Sequence, residues 1–147
     1  GFFDFDNTVA LVTIAAKYGV GIKEHNVDYE APERLSLRRK SNVAAVNVAP
    51  EFGVVETTAI LDFCERQKRR DLRQRFLDLA YESKRWRKWL REPDTSTKEA
   101  KAIMAGHYVF GTPAFVEIKE ELGPALEGYC RQAIWKKLDW YVRSLYQ

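Results

Sequence analysis

Val20-Gly21-Ile22-Lys23-Glu24-His25-Asn26-Val27-Asp28-Tyr29 and Val43-Ala44-Ala45-Val46-Asn47-Val48-Ala49-Pro50-Glu51-Phe52-Gly53 are the stretches whose reading decides the fold. Each is a short apolar run that breaks into polar residues. That is the form of a buried strand whose carboxyl end delivers charged and hydrogen-bonding side chains, where α/β enzymes place their chemistry. Helical patterns flank both runs. Val9, Leu11, Val12, Ile14 and Ala15 recur at helical spacing before Gly19, a residue suited to a left-handed cap. Pro32 can open a short helix over 33–40, and Val54, Val55, Thr58, Ile60, Leu61 and Phe63 support another after Gly53. Strands separated by helices imply parallel pairing in one sheet.

Beyond residue 66 no period of two is found. Leu72, Phe76, Leu79, Trp86 and Leu90 predict a helix over 71–90, and Ser96 or Thr97 can cap a helix through Met104. Further helices are predicted after Thr112-Pro113 and over 126–146. The expectation is therefore α/β over 1–66 and an all-helical extension over 67–147. Two strands alone do not make a stable sheet. Yet 46 % hydrophobic and 13 % aromatic residues imply a real core. With Gly1-Phe2-Phe3-Asp4-Phe5 resembling a strand entered partway, the chain is read as a fragment, or as one that completes its sheet with another polypeptide.

Composition narrows the function. Lys and Arg number 24 against 21 Asp and Glu, a formal charge of +3, so the chain as a whole does not read as a nucleic-acid binder. The basic bias is local: Arg66, Lys68, Arg69, Arg70, Arg73 and Arg75, then Lys84, Arg85, Arg87, Lys88 and Arg91, with Trp86 and Trp89 interleaved. Cations with aromatics can hold RNA, single-stranded DNA or an acidic partner. The plainer reading turns Trp86 and Leu90 to a core and the cations to water. Cys64 and Cys130 lack metal-ligand spacing and fit a reduced, cytoplasmic protein. Neither a membrane-spanning run nor a signal peptide is read.

Three motifs carry chemistry. Asp4-Phe5-Asp6-Asn7-Thr8 resembles the opening signature of haloacid-dehalogenase-type phosphatases, which implies Asp4 as nucleophile and Asp6 as acid and base. No later acidic pair completes the Mg²⁺ site of such an enzyme, so this stands as the alternative. His25, after an apolar run, can ligate a divalent metal or move a proton. His107 reads as a packed or surface residue. The junction from Asn47 to Glu56 offers free backbone N–H groups as a phosphate or carboxylate cradle, or is a plain turn relieved by Gly53.

Tyr18, Glu24-His25-Asn26-Val27-Asp28-Tyr29, Pro32 and Leu35 resemble the carboxyl-terminal part of the non-catalytic subunit family of tagatose-bisphosphate aldolase. The likeness continues through Asn47, the Arg-rich helix, His107-Tyr108-Val109-Phe110-Gly111-Thr112-Pro113 and the closing helix. The resemblance implies the last βα units of a (β/α)₈ TIM barrel, related to class II aldolases, with a helical extension. It implies His25 as a ligand to a divalent metal, zinc by preference, with the other ligands outside this chain. It places Asn47 on the substrate, with Asn26 and Gly53 beside it, and leaves Glu24, Asp28 and Glu51 as carboxylates for base or orienting roles. The implied substrate is a sugar or sugar phosphate, and the implied partner a catalytic aldolase subunit. The chain would act as a metal-dependent aldolase or epimerase, or as the stabilising accessory subunit. Ala49-Pro50-Glu51 stands where the aldolase pattern has Asp-Thr-Asp, and Asn26-Val27-Asp28-Tyr29 replaces the glycine-rich phosphate loop.

Overall fold

A computed structural model describes residues 3–90 and 94–146; Gly1, Phe2 and Arg91, named above, lie outside them. The chain is mostly helical, about 70 %. In chain order the helices are α1 (Phe5–Lys17), α2 (Pro32–Lys40), α3 (Pro50–Arg66), α4 (Arg70–Glu82), α5 (Lys98–Ala105), α6 (Pro113–Leu122) and α7 (Ala125–Leu145), with two short strands, β1 (Lys23–Glu24) between α1 and α2 and β2 (Ala45–Val46) between α2 and α3. The strands run parallel, with Lys23 opposite Ala45 and Glu24 opposite Val46.

This overturns the expected α/β fold of terminal TIM-barrel units: the described residues hold a single two-residue ladder, and its strands are exposed or half-buried instead of buried. The reason is local. Asn26 and Tyr29, after β1, take left-handed backbone at φ 61° and 58°, and Asn42, before β2, does so at 60°, so the chain turns close to one end of each strand. With no further strand paired alongside among the described residues, the apolar residues around Val43 and Val46 have no sheet face to fill.

Contacts divide the chain into two compact units, Gly1–Glu51 with Lys136–Gln147, and Phe52–Trp135. In the first, Val27 and Leu35 are buried together with polar Arg38, Glu51 and Ser144. Pro32 at the first turn and Arg38, Arg39 and Lys40 in the last turn suit α2 to its helix dipole. The second unit has a conventional apolar core drawn from α3 to α7, including Ile60, Leu72, Phe76, Phe115, Ile118 and Leu126. Phe76 packs on Phe115 at 5.2 Å and Phe110 on Phe115 at 4.9 Å between ring centroids. Thr97 and Thr112 cap α5 and α6 by accepting the N–H of Ala100 and Phe115.

The helix predicted over 71–90 is broken. α4 stops at Glu82, Lys84 adopts φ 56°, and Arg85–Trp89 continues as a 3-10 turn. The Ser83 hydroxyl accepts the Arg85 N–H, and the Trp86 indole donates to the Tyr81 carbonyl at 2.9 Å. These local bonds give the backbone an alternative to the helix that hydrophobic spacing alone does not reveal.

Candidate functional site

The ends of β1 and β2 are knitted by backbone bonds. Asn47 donates to the Glu24 carbonyl at 2.8 Å, and its own carbonyl accepts the Val27 N–H at 3.0 Å. The Asn47 backbone is thus fixed on both sides while its side chain stays exposed beside His25. Asn47 Nδ2 lies 3.4 Å from His25 Nδ1. An amide –NH₂ can only donate, so in this arrangement Nδ1 accepts and the ring proton sits on Nε2, directed elsewhere.

Glu24 is held by a residue of α2. Its Oε2 accepts from Arg38 Nε at 2.7 Å, and Arg38 Nη2 reaches Glu30 Oε2 at 2.9 Å. The guanidinium also donates to the Arg34 carbonyl and lies 4.5 Å from the centre of the Phe3 ring. Arg38 is only 4 % exposed, so it anchors two carboxylates under the strand ends. Asp4, Asn7, Glu24, His25, Asn26 and Arg38 line a polar pocket of about 290 Å³.

Asp28 and Glu51 hold the loops. Asp28 Oδ1 accepts the N–H groups of Ala49 at 3.0 Å and Glu51 at 2.9 Å, capping α3 with the chain's own carboxylate. Of the two readings of the Asn47–Glu56 junction, anion cradle or plain turn, the cradle has its Ala49 and Glu51 N–H groups already taken by Asp28. The Glu51 carboxylate, 5 % exposed as a residue, accepts the Tyr29 N–H at 2.5 Å, the Tyr141 hydroxyl, and an ion pair from Lys137. Burial pushes its carboxyl up, but hydrogen bonds from Lys137, Tyr141 and the Tyr29 amide, with the Lys137 charge, outweigh that and hold it below the usual range. Burial first, then the neighbouring Glu51 carboxylate, drives the Tyr141 phenol far above its ordinary value.

The structure thus brings His25, Asn26 and Glu24 to one pocket, with Asn47 beside His25. Asp28 and Glu51 lie behind them, engaged in packing. Gly53 lies within α3 in the other unit, where a Cβ would come within 2.6 Å of the His107 ring. Asp4 caps α1 through the Asn7 N–H at 3.0 Å, and Asp6 is exposed in the first turn, so neither stands at a strand end. His107 is half-buried with Nδ1 enclosed and unpartnered among the described residues. Burial, then Lys88, lowers its pKa. Arg38, Lys137 and Tyr141 were not singled out from sequence; nothing in the basic run of α2 or the pattern of α7 marks which residues are buried against carboxylates.

Among the described residues no cluster of three His, Cys, Asp or Glu side chains is placed to hold a metal. His25 offers one imidazole, while Glu24 turns to Arg38 and Asp28 to backbone N–H groups. The donor set within these residues does not fit a zinc site, which takes three or four protein ligands. No protein-family model, curated protein or solved structure matches the chain. No helix among the described residues is long and apolar enough to cross a membrane.

Proposed function

We propose that this chain serves carbohydrate metabolism as a relative of the accessory subunits of class II ketose-bisphosphate aldolases, and that the β1–β2 rim binds a sugar or sugar phosphate. The observation that carries the reading is the His25–Asn47 pair, 3.4 Å apart on adjacent parallel strand ends beside a polar pocket. Sugars are recognised by converging donors and acceptors that take part in several hydrogen bonds at once. Here Asn26 and Asn47 can donate and accept, His25 Nε2 donates, and the engaged Glu24 keeps further lone pairs. Arg38, its charge matched by Glu24 and Glu30, holds the Glu24 carboxylate in place behind them. The described residues form a two-stranded ladder and no barrel; the reading is supported by this rim and by the likeness of Glu24-His25-Asn26-Val27-Asp28-Tyr29 to the accessory family.

The supporting role is favoured over a complete lyase because Asp28 and Glu51 are engaged in holding α3 and α7 residues to the loop. A general base must reach the proton it removes. The test is calorimetric titration of the chain with a ketose bisphosphate and the parent ketose, repeated for His25→Ala and Asn47→Ala. Saturable binding weakened about tenfold in each variant is expected, each having lost a hydrogen bond worth about 1–2 kcal/mol. No binding, or equal binding by the variants, overturns the reading. The accessory role is tested by mixing the chain with a catalytic class II aldolase: a longer active half-life supports it, and an unchanged one contradicts it.

A further inference from the structure

The two halves of the basic region have different fates in the structure. In the first half Arg66 pairs with Asp62, Arg69 with Asp71 and Glu121, Arg73 with Glu65 and Glu99, and Arg75 with Glu117 and Glu121. Lys68 and Arg70 stand between them without such partners among the described residues. In the second half Lys84, Arg85, Arg87 and Lys88 are all exposed, and none forms an ion pair with a described residue. Of the nearby described carboxylates, Glu82, exposed at the end of α4, makes no ion pair among them, and Asp94 is taken by Lys101 at 2.6 Å. Most arginines of α3 and α4 are matched to anions, whereas the four cations of this turn have no ion-pair partner among the described residues.

The turn is also held in a fixed form. The left-handed Lys84, the Ser83 cap on Arg85 and the Trp86–Tyr81 hydrogen bond set its path. Trp86 stacks on Tyr81 at 5.5 Å, and Lys101 and Arg87 lie over the indole at 5.0 and 5.6 Å. Lys88 sits over Trp89 at 5.0 Å and over Tyr108 at 4.4 Å. Cations laid on rings are partly ordered before a partner arrives, which lowers the entropic cost of binding.

We propose that the Lys84–Trp89 turn is a docking surface for an acidic segment of a partner protein. Charge complementarity selects an anion-rich partner. An acidic segment is favoured over a nucleic acid, because a single strand stacks successive bases on several open rings. Trp86 has Tyr81 stacked on it and cations over the ring, which leaves Trp89, 43 % exposed with Lys88 over it, as one partly open ring in a turn dominated by charge.

The experiment uses the whole chain and a short fluorescein-labelled poly-glutamate peptide, followed by fluorescence anisotropy at low salt. Arg85→Ser with Arg87→Ser is expected to weaken binding about fivefold or more, and Arg66→Ser with Arg131→Ser, a charge-matched change at residues paired with Asp62 and Glu127, by less than about twofold. Raising salt should abolish binding to the unaltered chain. On the unaltered chain, the peptide should also slow acetylation of Lys84 and Lys88 while leaving Lys98, paired with Asp78, unchanged. Three results would overturn the proposal: no binding, equal losses in both double variants, or a single-stranded oligonucleotide of matched charge binding more tightly than the peptide.

Discussion

Replacing Glu51 with alanine tests how the rim is supported. The carboxylate meets the Tyr29 N–H, the Tyr141 hydroxyl and Lys137. Hydrogen bonds to a charged group contribute about 1.5–3 kcal/mol each, and a donor left buried without a partner costs about 1–3 kcal/mol. The three do not simply add. Tyr141 retains the Val27 carbonyl at 3.2 Å, and the Lys137 side chain, 23 % exposed, regains water, so its share falls toward the surface value of about 0–1 kcal/mol. The Tyr29 N–H loses most. We expect a loss of about 3–4 kcal/mol, near the range for removing one member of a buried pair. The assay is native-state hydrogen exchange at α2 amides such as Leu35 and Arg38, which reports the unit containing Glu51. Tyr141→Phe should cost about 1–2 kcal/mol, and the double variant less than the sum, since both changes break one contact. The folded carboxyl titrates below its unfolded value. Its stabilisation is therefore full above the unfolded carboxyl pKa and lost as pH falls through the folded one. A loss under about 1 kcal/mol, or an acid response unchanged in Glu51→Ala, would refute the reasoning.

Arg38→Met should destabilise the same unit by about 2–3 kcal/mol, below the fully buried range because the Glu24 and Glu30 side chains keep 22 % and 13 % exposure; exchange at the same amides measures it. Gly106→Ala should cost about 1–3 kcal/mol in thermal unfolding, since a Cβ there would stand 2.4 Å from the buried Thr57 side chain. Burial raises both cysteine thiols, Cys130 to about 11, so both should resist iodoacetamide at pH 8 in the native chain and react readily in denaturant. Fast native alkylation of either would show that its part of the core opens.

Helices were the legible part of the sequence, because their signals are local. Pro32, Thr97, Thr112-Pro113 and the apolar spacing of the second half each act within a turn or two. The strands misled because an apolar run such as Val43–Val46 records a preference for burial without saying whether other strands exist to bury it. The helix over 71–90 failed at Lys84, where a left-handed residue and an indole hydrogen bond have no signature in hydrophobic spacing. At the site, His25 and Asn47 could be brought together by reasoning because their two runs were read as parallel neighbours. The engagement of Glu24, Asp28 and Glu51 could not, since Arg38, Lys137 and Tyr141 reach them across 14, 86 and 90 residues, or through backbone N–H groups.

The most direct measurement is a nuclear magnetic resonance titration with a ketose bisphosphate, following the Asn47 side-chain amide and the His25 ring in labelled chain. Both signals should shift together and saturate on one curve, while the His107 ring in the other unit stays still. Movement at His107 with His25 and Asn47 unmoved, or two unrelated curves for the pair, would contradict a shared rim that binds sugar.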